Sequence, residues 1–205
     1  MESIRPWRDG MNRRVIVISG YLASGKSTFA RRLSRELSVP CLVKDTFKIA
    51  ICRHLTVADR AEKSRFSAAT FDAMLYVLER MFEAGQPVMI EGNFVPAGVK
   101  EVDEAGELRQ LIDAYGYGAL TYRFTGDTRV LHRRFMARES TADRGEVNRI
   151  GSDVPHETFD QWCHNLDGFD VGGRIVDVDT TDFDRVDFAR YAELAQQFMN
   201  QRIFG

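Results

Sequence analysis

Eight residues near the amino end, Gly20-Tyr21-Leu22-Ala23-Ser24-Gly25-Lys26-Ser27, spell G-x-x-x-x-G-K-S and directly follow the apolar run Val15-Ile16-Val17-Ile18. A strand before this pattern and an amphipathic stretch after it form the context in which it makes a phosphate-binding P-loop. Gly20 and Gly25 free the backbone to curl, so that successive N–H groups point into one anion-sized hollow. A helix beginning near Lys26 aims the positive end of its dipole at that hollow. Lys26 suits the β- and γ-phosphates and the Ser27 hydroxyl suits Mg²⁺, while Ala23, Ser24 and Thr28 complete the stretch that would face a nucleotide. The motif implies a bound nucleoside triphosphate. A glycine-rich turn without a ligand is the alternative.

Further candidates stand where strands end. Asp45 follows the short apolar run Cys41-Leu42-Val43. A carboxylate there could take a proton from an acceptor hydroxyl or hold it for in-line attack. It could equally be a helix N-cap for Thr46–Ile51. Lys48, one turn on, could touch a phosphate or the acceptor. Glu91 ends Val88-Met89-Ile90 in a Walker B arrangement, where it could hold Mg²⁺ through water or orient a nucleophile. Gly92 allows close approach, and Asn93 offers an amide to an acceptor. Arg129, Arg133, Arg134, Arg138, Arg144 and Arg149 crowd one polar stretch. If 127–138 is helical, Arg134 and Arg138 share a face one turn apart, where they could clamp the triphosphate and stabilise charge on the transferred group. Thr180, after Val178-Asp179, could border the base.

The elements that must position these residues are legible in outline. Strands are expected at Arg14–Ser19, Cys41–Val43, Val88–Ile90, Ala119–Phe124 and Arg174–Asp179. Helices are expected over Lys26–Leu37, around Phe66–Phe82, around Leu108–Tyr115, and in a closing segment from Phe188 to Met199. Strands alternating with helices predict an α/β fold, a five-stranded parallel sheet with helices on both faces. In such sheets ligands bind at the carboxyl ends of strands, where Gly20, Asp45, Glu91 and Thr180 all fall. Residues 1–12 read as a loose tail, 13–205 as one domain, and roughly 127–155 as an arginine-rich lid over the site.

Composition narrows the partners. A net charge of −2 over 205 residues carries no basic field for long polyanions, so a nucleic-acid end is the less favoured acceptor. Arg60, Lys63 and Arg65 are the patch that such an acceptor would use. No stretch is apolar and long enough to cross a bilayer, and the first dozen residues are not a signal peptide. Three widely spaced cysteines, Cys41, Cys52 and Cys163, suggest no disulfide framework and a reducing, cytoplasmic setting. Neither Cys52 with His54 nor Cys163 with His164 has zinc-site spacing. Oligomeric state is left open.

Taken together, these motifs resemble those of P-loop kinases of the small-molecule and polynucleotide kinase-like branch, often labelled AAA-family ATPases. The resemblance spans about Arg14 to Phe204. It is carried by the Walker A loop, by Asp45-Thr46-Phe47-Lys48, by Ile90-Glu91-Gly92-Asn93-Phe94, and by Arg134 and Arg138 with Arg144 after them. Val154-Pro155-His156-Glu157-Thr158-Phe159 resembles the segment after the lid in polynucleotide kinases. The resemblance implies a P-loop NTPase three-layer sandwich and Mg²⁺-dependent transfer of the ATP γ-phosphate to a hydroxyl of a small molecule or nucleic-acid end, without choosing between them, with Asp45 as general base. Ala23 stands where many relatives carry Gly, and Glu91 where Asp is commoner. A nucleotide-dependent ATPase switch that binds a protein partner is the competing reading, although it has no use for the acid at Asp45.

Overall fold

The computed structural model describes residues 13–201 apart from 58, 100, 101, 140, 142–144 and 152. The expected tail and Arg144 therefore lie outside the described residues. β1 (Arg14–Gly20) is buried along its whole length, as an uninterrupted apolar run requires of a strand covered on both faces. It pairs in parallel with β3 (Val88–Glu91) on one side and with β4 (Gly118–Thr125) on the other. β2 (Cys41–Val43) and β5 (Arg174–Asp179) form the edges, giving a five-stranded parallel sheet of order β2-β3-β1-β4-β5.

The two-residue period of β1 divides the core. Val15 and Val17 face a layer built by α3 (Arg60–Glu83) and α4 (Glu104–Ala114), through Phe71, Met74, Leu78, Leu108 and Ile112. Ile16 and Ile18 face α1 (Lys26–Leu37) and α7 (Phe188–Asn200), through Phe29, Leu33, Ala192 and Ala195. α3 begins six residues before the first apolar position expected for it. Asp59 caps it by accepting from the Glu62 N–H, a polar start that apolar spacing does not reveal.

α2 (Lys44–Ile51) follows β2 with no intervening loop and has Val43 as its N-cap. Asp45 is thus inside the first helical turn, and its alternative role as cap is not adopted. α5 (Thr128–Glu139) and α6 (His156–His164) pack through Leu131, Phe135, Phe159 and Cys163 against Tyr21 of the P-loop. A 3₁₀ turn, Glu146–Asn148, then crosses to α2. Within the segment expected to form a lid, α5 rests on the loop below it and the 3₁₀ turn reaches across to α2, while α6 begins just past its end. Among the described residues no helix is long and apolar enough to cross a membrane.

Candidate active site

The P-loop leaves β1 through backbone conformations that its glycines permit. Gly20 has φ 119°, and a Cβ there would lie 2.1 Å from the Phe124 carbonyl oxygen. Gly25, the N-cap of α1, has φ 86°, with the Phe183 ring 2.2 Å from a notional Cβ. Ala23 also adopts a left-handed conformation, φ 55°, at a position where a side chain is strained. The loop is held from behind, since Tyr21 donates its N–H to Phe124 and its hydroxyl to Asp167 Oδ1 at 2.7 Å. Ser24 Oγ donates back to the Tyr21 carbonyl at 2.6 Å.

Lys26 is buried, and its ammonium donates to the Gly20 carbonyl at 3.0 Å and to the Tyr21 carbonyl. Burial pulls its pKa down to about 8, against the opposing fields of Glu91 and Asp45. Register brings Glu91 opposite Ile18 of β1 and Val43 of β2, so the acid sits beside the loop and just before α2. Glu91 is 4% exposed and accepts from Ser27 Oγ at 3.0 Å. Burial pushes its pKa up to about 7, with Lys26 opposing and Asp45 reinforcing the rise.

One hollow collects most of the expected residues. Ser24, Gly25, Lys26, Ser27, Asp45, Glu91, Asn93 and Arg138 line it, with Ala23, Phe135 and Glu139. Thr28 is exposed at the start of α1. Among the described residues no three His, Cys, Asp or Glu side chains gather into a metal-holding group. The Ser27–Glu91 pair nevertheless fits Mg²⁺, which binds proteins through one or two oxygen ligands and completes its shell with phosphates and water.

Four expectations are corrected or sharpened by tertiary contacts. Lys48 is turned away from the hollow: its ammonium donates to the Lys63 carbonyl at 3.0 Å and to Ser67 Oγ at 2.7 Å, tying α2 to α3. Arg134 and Arg138 diverge despite their spacing. Arg138 faces the hollow, whereas Arg134 forks onto the carbonyls of Thr180 and Thr181 at 2.6 and 2.9 Å. The Thr180 side chain is fully buried and donates to the Thr125 carbonyl, so it closes the sheet end and does not face a base. Lys63, from the patch considered for nucleic acid, donates to the Arg149 carbonyl.

Several residues escaped the sequence reading. Glu104 forms a buried ion pair with Lys44 at 2.5 Å and accepts from the Val95 N–H, fixing α2 to the segment after β3. Asn148 Nδ2 donates to the Asp45 carbonyl at 3.0 Å across 103 positions. Glu139, next to Arg138, accepts from the N–H groups of Ile150 and Gly151. The strap 145–151 therefore links the helix carrying Arg138 to the helix carrying Asp45. Only Glu104 has a local signal, as the first residue after the helix cap Asp103.

A parallel five-stranded sheet whose first strand runs through a P-loop into a helix is the P-loop NTPase fold. A model of the AAA domain family matches residues 15–168, and the chain belongs to that family. Among solved structures, a candidate kinase from Chloroflexus aurantiacus J-10-fl superposes with a TM-score of 0.80 at 21% identity, covering 91% of this chain and 98% of that one. A shikimate kinase from Bacteroides thetaiotaomicron gives 0.59 at 16% identity, with 92% and 99% covered. A gluconokinase from Sinorhizobium meliloti 1021 gives 0.54 at 16% identity, with 91% of each chain covered. The fold is thus the one that P-loop kinases share. No curated protein matches the chain significantly.

Proposed function

We propose that this protein is a kinase that transfers the γ-phosphate of ATP to a hydroxyl of a small-molecule acceptor. The observation that supports it most is the meeting of Asp45, Glu91, Ser27, Lys26 and Arg138 around one hollow at the carboxyl ends of the first three strands. A bare nucleotide switch has no need of the extra carboxylate.

In this reading the P-loop N–H groups and the amino end of α1 hold the phosphate chain. To meet a phosphate oxygen, the Lys26 ammonium exchanges the Tyr21 carbonyl for the ligand, and the gained anion favours its charged form. Arg138 neutralises charge on the transferred group, while Arg134 acts as a positioning residue for the loop at Thr180 and Thr181. Ser27 and Glu91 would hold Mg²⁺, which supplies charge neutralisation at the phosphates when bound. Asp45 accepts the proton of the attacking hydroxyl as its oxygen bonds to the γ-phosphorus. The bond to the bridging oxygen breaks, and ADP leaves with that electron pair. Positioning and electrostatics carry such reactions, and these residues provide both.

The test is label transfer from γ-labelled ATP with Mg²⁺ across a panel of alcohols and 5′-hydroxyl oligonucleotides, with Asp45→Asn as control. Transfer to one acceptor class that falls at least a hundredfold in Asp45→Asn, with ATP affinity kept within about threefold, is the expected outcome. Near-normal transfer by that variant removes Asp45 as the base. Label released only as phosphate, together with nucleotide-dependent capture of a protein, favours the switch.

A further inference from the structure

α2 carries Asp45 on its first turn but starts without a side-chain cap, because its N-cap is Val43. The placement of that turn therefore depends on contacts made across the fold. Lys44, the first residue of α2, provides one. Its ammonium reaches Glu104 Oε1 at 2.5 Å, and Glu104 Oε2 accepts from the Val95 N–H at 3.2 Å. Its stem lies against the turn after β3, where a Cβ on Gly92 would come within 3.0 Å of the Lys44 Cβ. The ammonium also sits 5.2 and 5.5 Å from the ring centres of Phe71 and Phe94. One ion pair thus joins α2, the turn 92–95 and α4. Asp45, Gly92 and Asn93, beside these contacts in the chain, all line the hollow, whereas Lys44 and Glu104 do not.

Stability alone is a poor reason for such a pair. Lys44 is 8% and Glu104 3% exposed, so two charges are taken from water at a cost that their attraction barely returns. Apolar residues of similar volume commonly hold a fold as well or better. What an apolar contact lacks is direction. The hydrogen bonds that Glu104 accepts from Lys44 and Val95 fix α2 against the turn in both distance and angle. In a site that works by positioning, a displacement of about 1 Å can cost about a hundredfold in rate.

Resting on the kinase reading, we infer that Lys44 and Glu104 are positioning residues for the transfer step. They act through Asp45, setting its carboxylate against the acceptor hydroxyl and the γ-phosphorus, and they touch neither substrate.

The experiment makes the pair neutral in the full chain, with Lys44→Met and Glu104→Gln together; Gln keeps an oxygen for the Val95 N–H. Turnover of γ-labelled ATP with Mg²⁺ is followed as transfer to the alcohol panel and as release to water, which takes the place of the acceptor hydroxyl. The double variant is expected to melt within about 3 °C of the wild type and to bind ATP within about twofold, yet to turn over at least about tenfold more slowly. The decisive arm repeats the exchange in an Asp45→Asn background. There the neutral pair is expected to cost less than about twofold, because residues that act through one group lose their effect once that group is gone. A merely structural role would cost the same factor in both backgrounds, and that result overturns the inference, as does wild-type turnover in the double variant. So does an acidic limb of the pH–rate profile displaced by more than about half a pH unit, which would mean that the pair tunes the charge of Asp45 and not its place. The kinase reading fails separately, if ATP does not bind in calorimetry or if turnover is indifferent to Lys26→Ala.

Discussion

Replacing Glu91 with Gln is expected to stabilise the nucleotide-free protein at pH 8 and leave it nearly unchanged at pH 5. Glu91 sits at the buried end of β3 with 4% exposure, beside a single donating hydroxyl from Ser27. Burial raises its pKa from 4.5 to about 7 despite Lys26. Between those values the folded chain holds a proton that the unfolded chain has released. Stability from this group is therefore complete below pH 4.5 and is lost as pH rises through 7. At about 1.4 kcal/mol per pH unit, the displacement from 4.5 to about 7 amounts to about 3 kcal/mol. Gln carries no titrating proton, so the variant escapes that loss. Part of the gain is returned, because Glu91 also helps keep Lys26 protonated. A net gain of about 1–3 kcal/mol at pH 8 corresponds to about 2–10 °C for a chain of this size. Thermal unfolding of both proteins by circular dichroism, in EDTA from pH 5 to pH 8, reads the effect directly. A constant offset between the two curves at every pH, or a less stable variant at pH 8, would refute the reasoning. The same substitution should lower Mg²⁺-dependent turnover, so stability and activity part company at one residue.

Other outcomes follow from the contacts around the hollow. Ala23→Gly relieves a left-handed backbone at φ 55° that costs a non-glycine residue about 1–2 kcal/mol, offset by glycine's entropy of about 0.5–1 kcal/mol. A melting temperature higher by about 1–3 °C is expected, and a drop would show that the Ala23 methyl contributes more packing than strain. Asn148→Leu breaks the strap from Asp45 and is expected to cost about 1 kcal/mol of stability and about tenfold in kcat. The ATP KM should stay within about twofold in steady-state kinetics; unchanged kcat would mean that α2 holds Asp45 unaided. Arg134→Lys cannot fork onto two carbonyls, and is expected to weaken nucleotide binding about five- to tenfold in calorimetry. Its kcat at saturation should remain within about threefold, whereas a hundredfold loss would return Arg134 to direct catalysis.

What could be read in the sequence was what is local along the chain. The strand Arg14–Gly20, the P-loop and α1 are contiguous, so apolar run, glycines and helical spacing specify each other without help from distant residues. Asp45 and Glu91 were legible for a related reason: Glu91 closes one short apolar run, Asp45 stands two residues past another, and parallel pairing brings such ends together. Helical spacing likewise put Arg134 and Arg138 on one side of α5. It could not say that one guanidinium would be taken by carbonyls 46 and 47 positions away. The buried Lys44–Glu104 pair, the withdrawal of Lys48 into the α2–α3 contact, and the reach of Asn148 to Asp45 were equally invisible. Each is a choice among polar partners made only once helices dock, when a buried ammonium or amide must find whatever acceptor its neighbours present. The phosphate side of the site is thus written in consecutive residues. Which other side chains line the hollow was decided by how the helices packed.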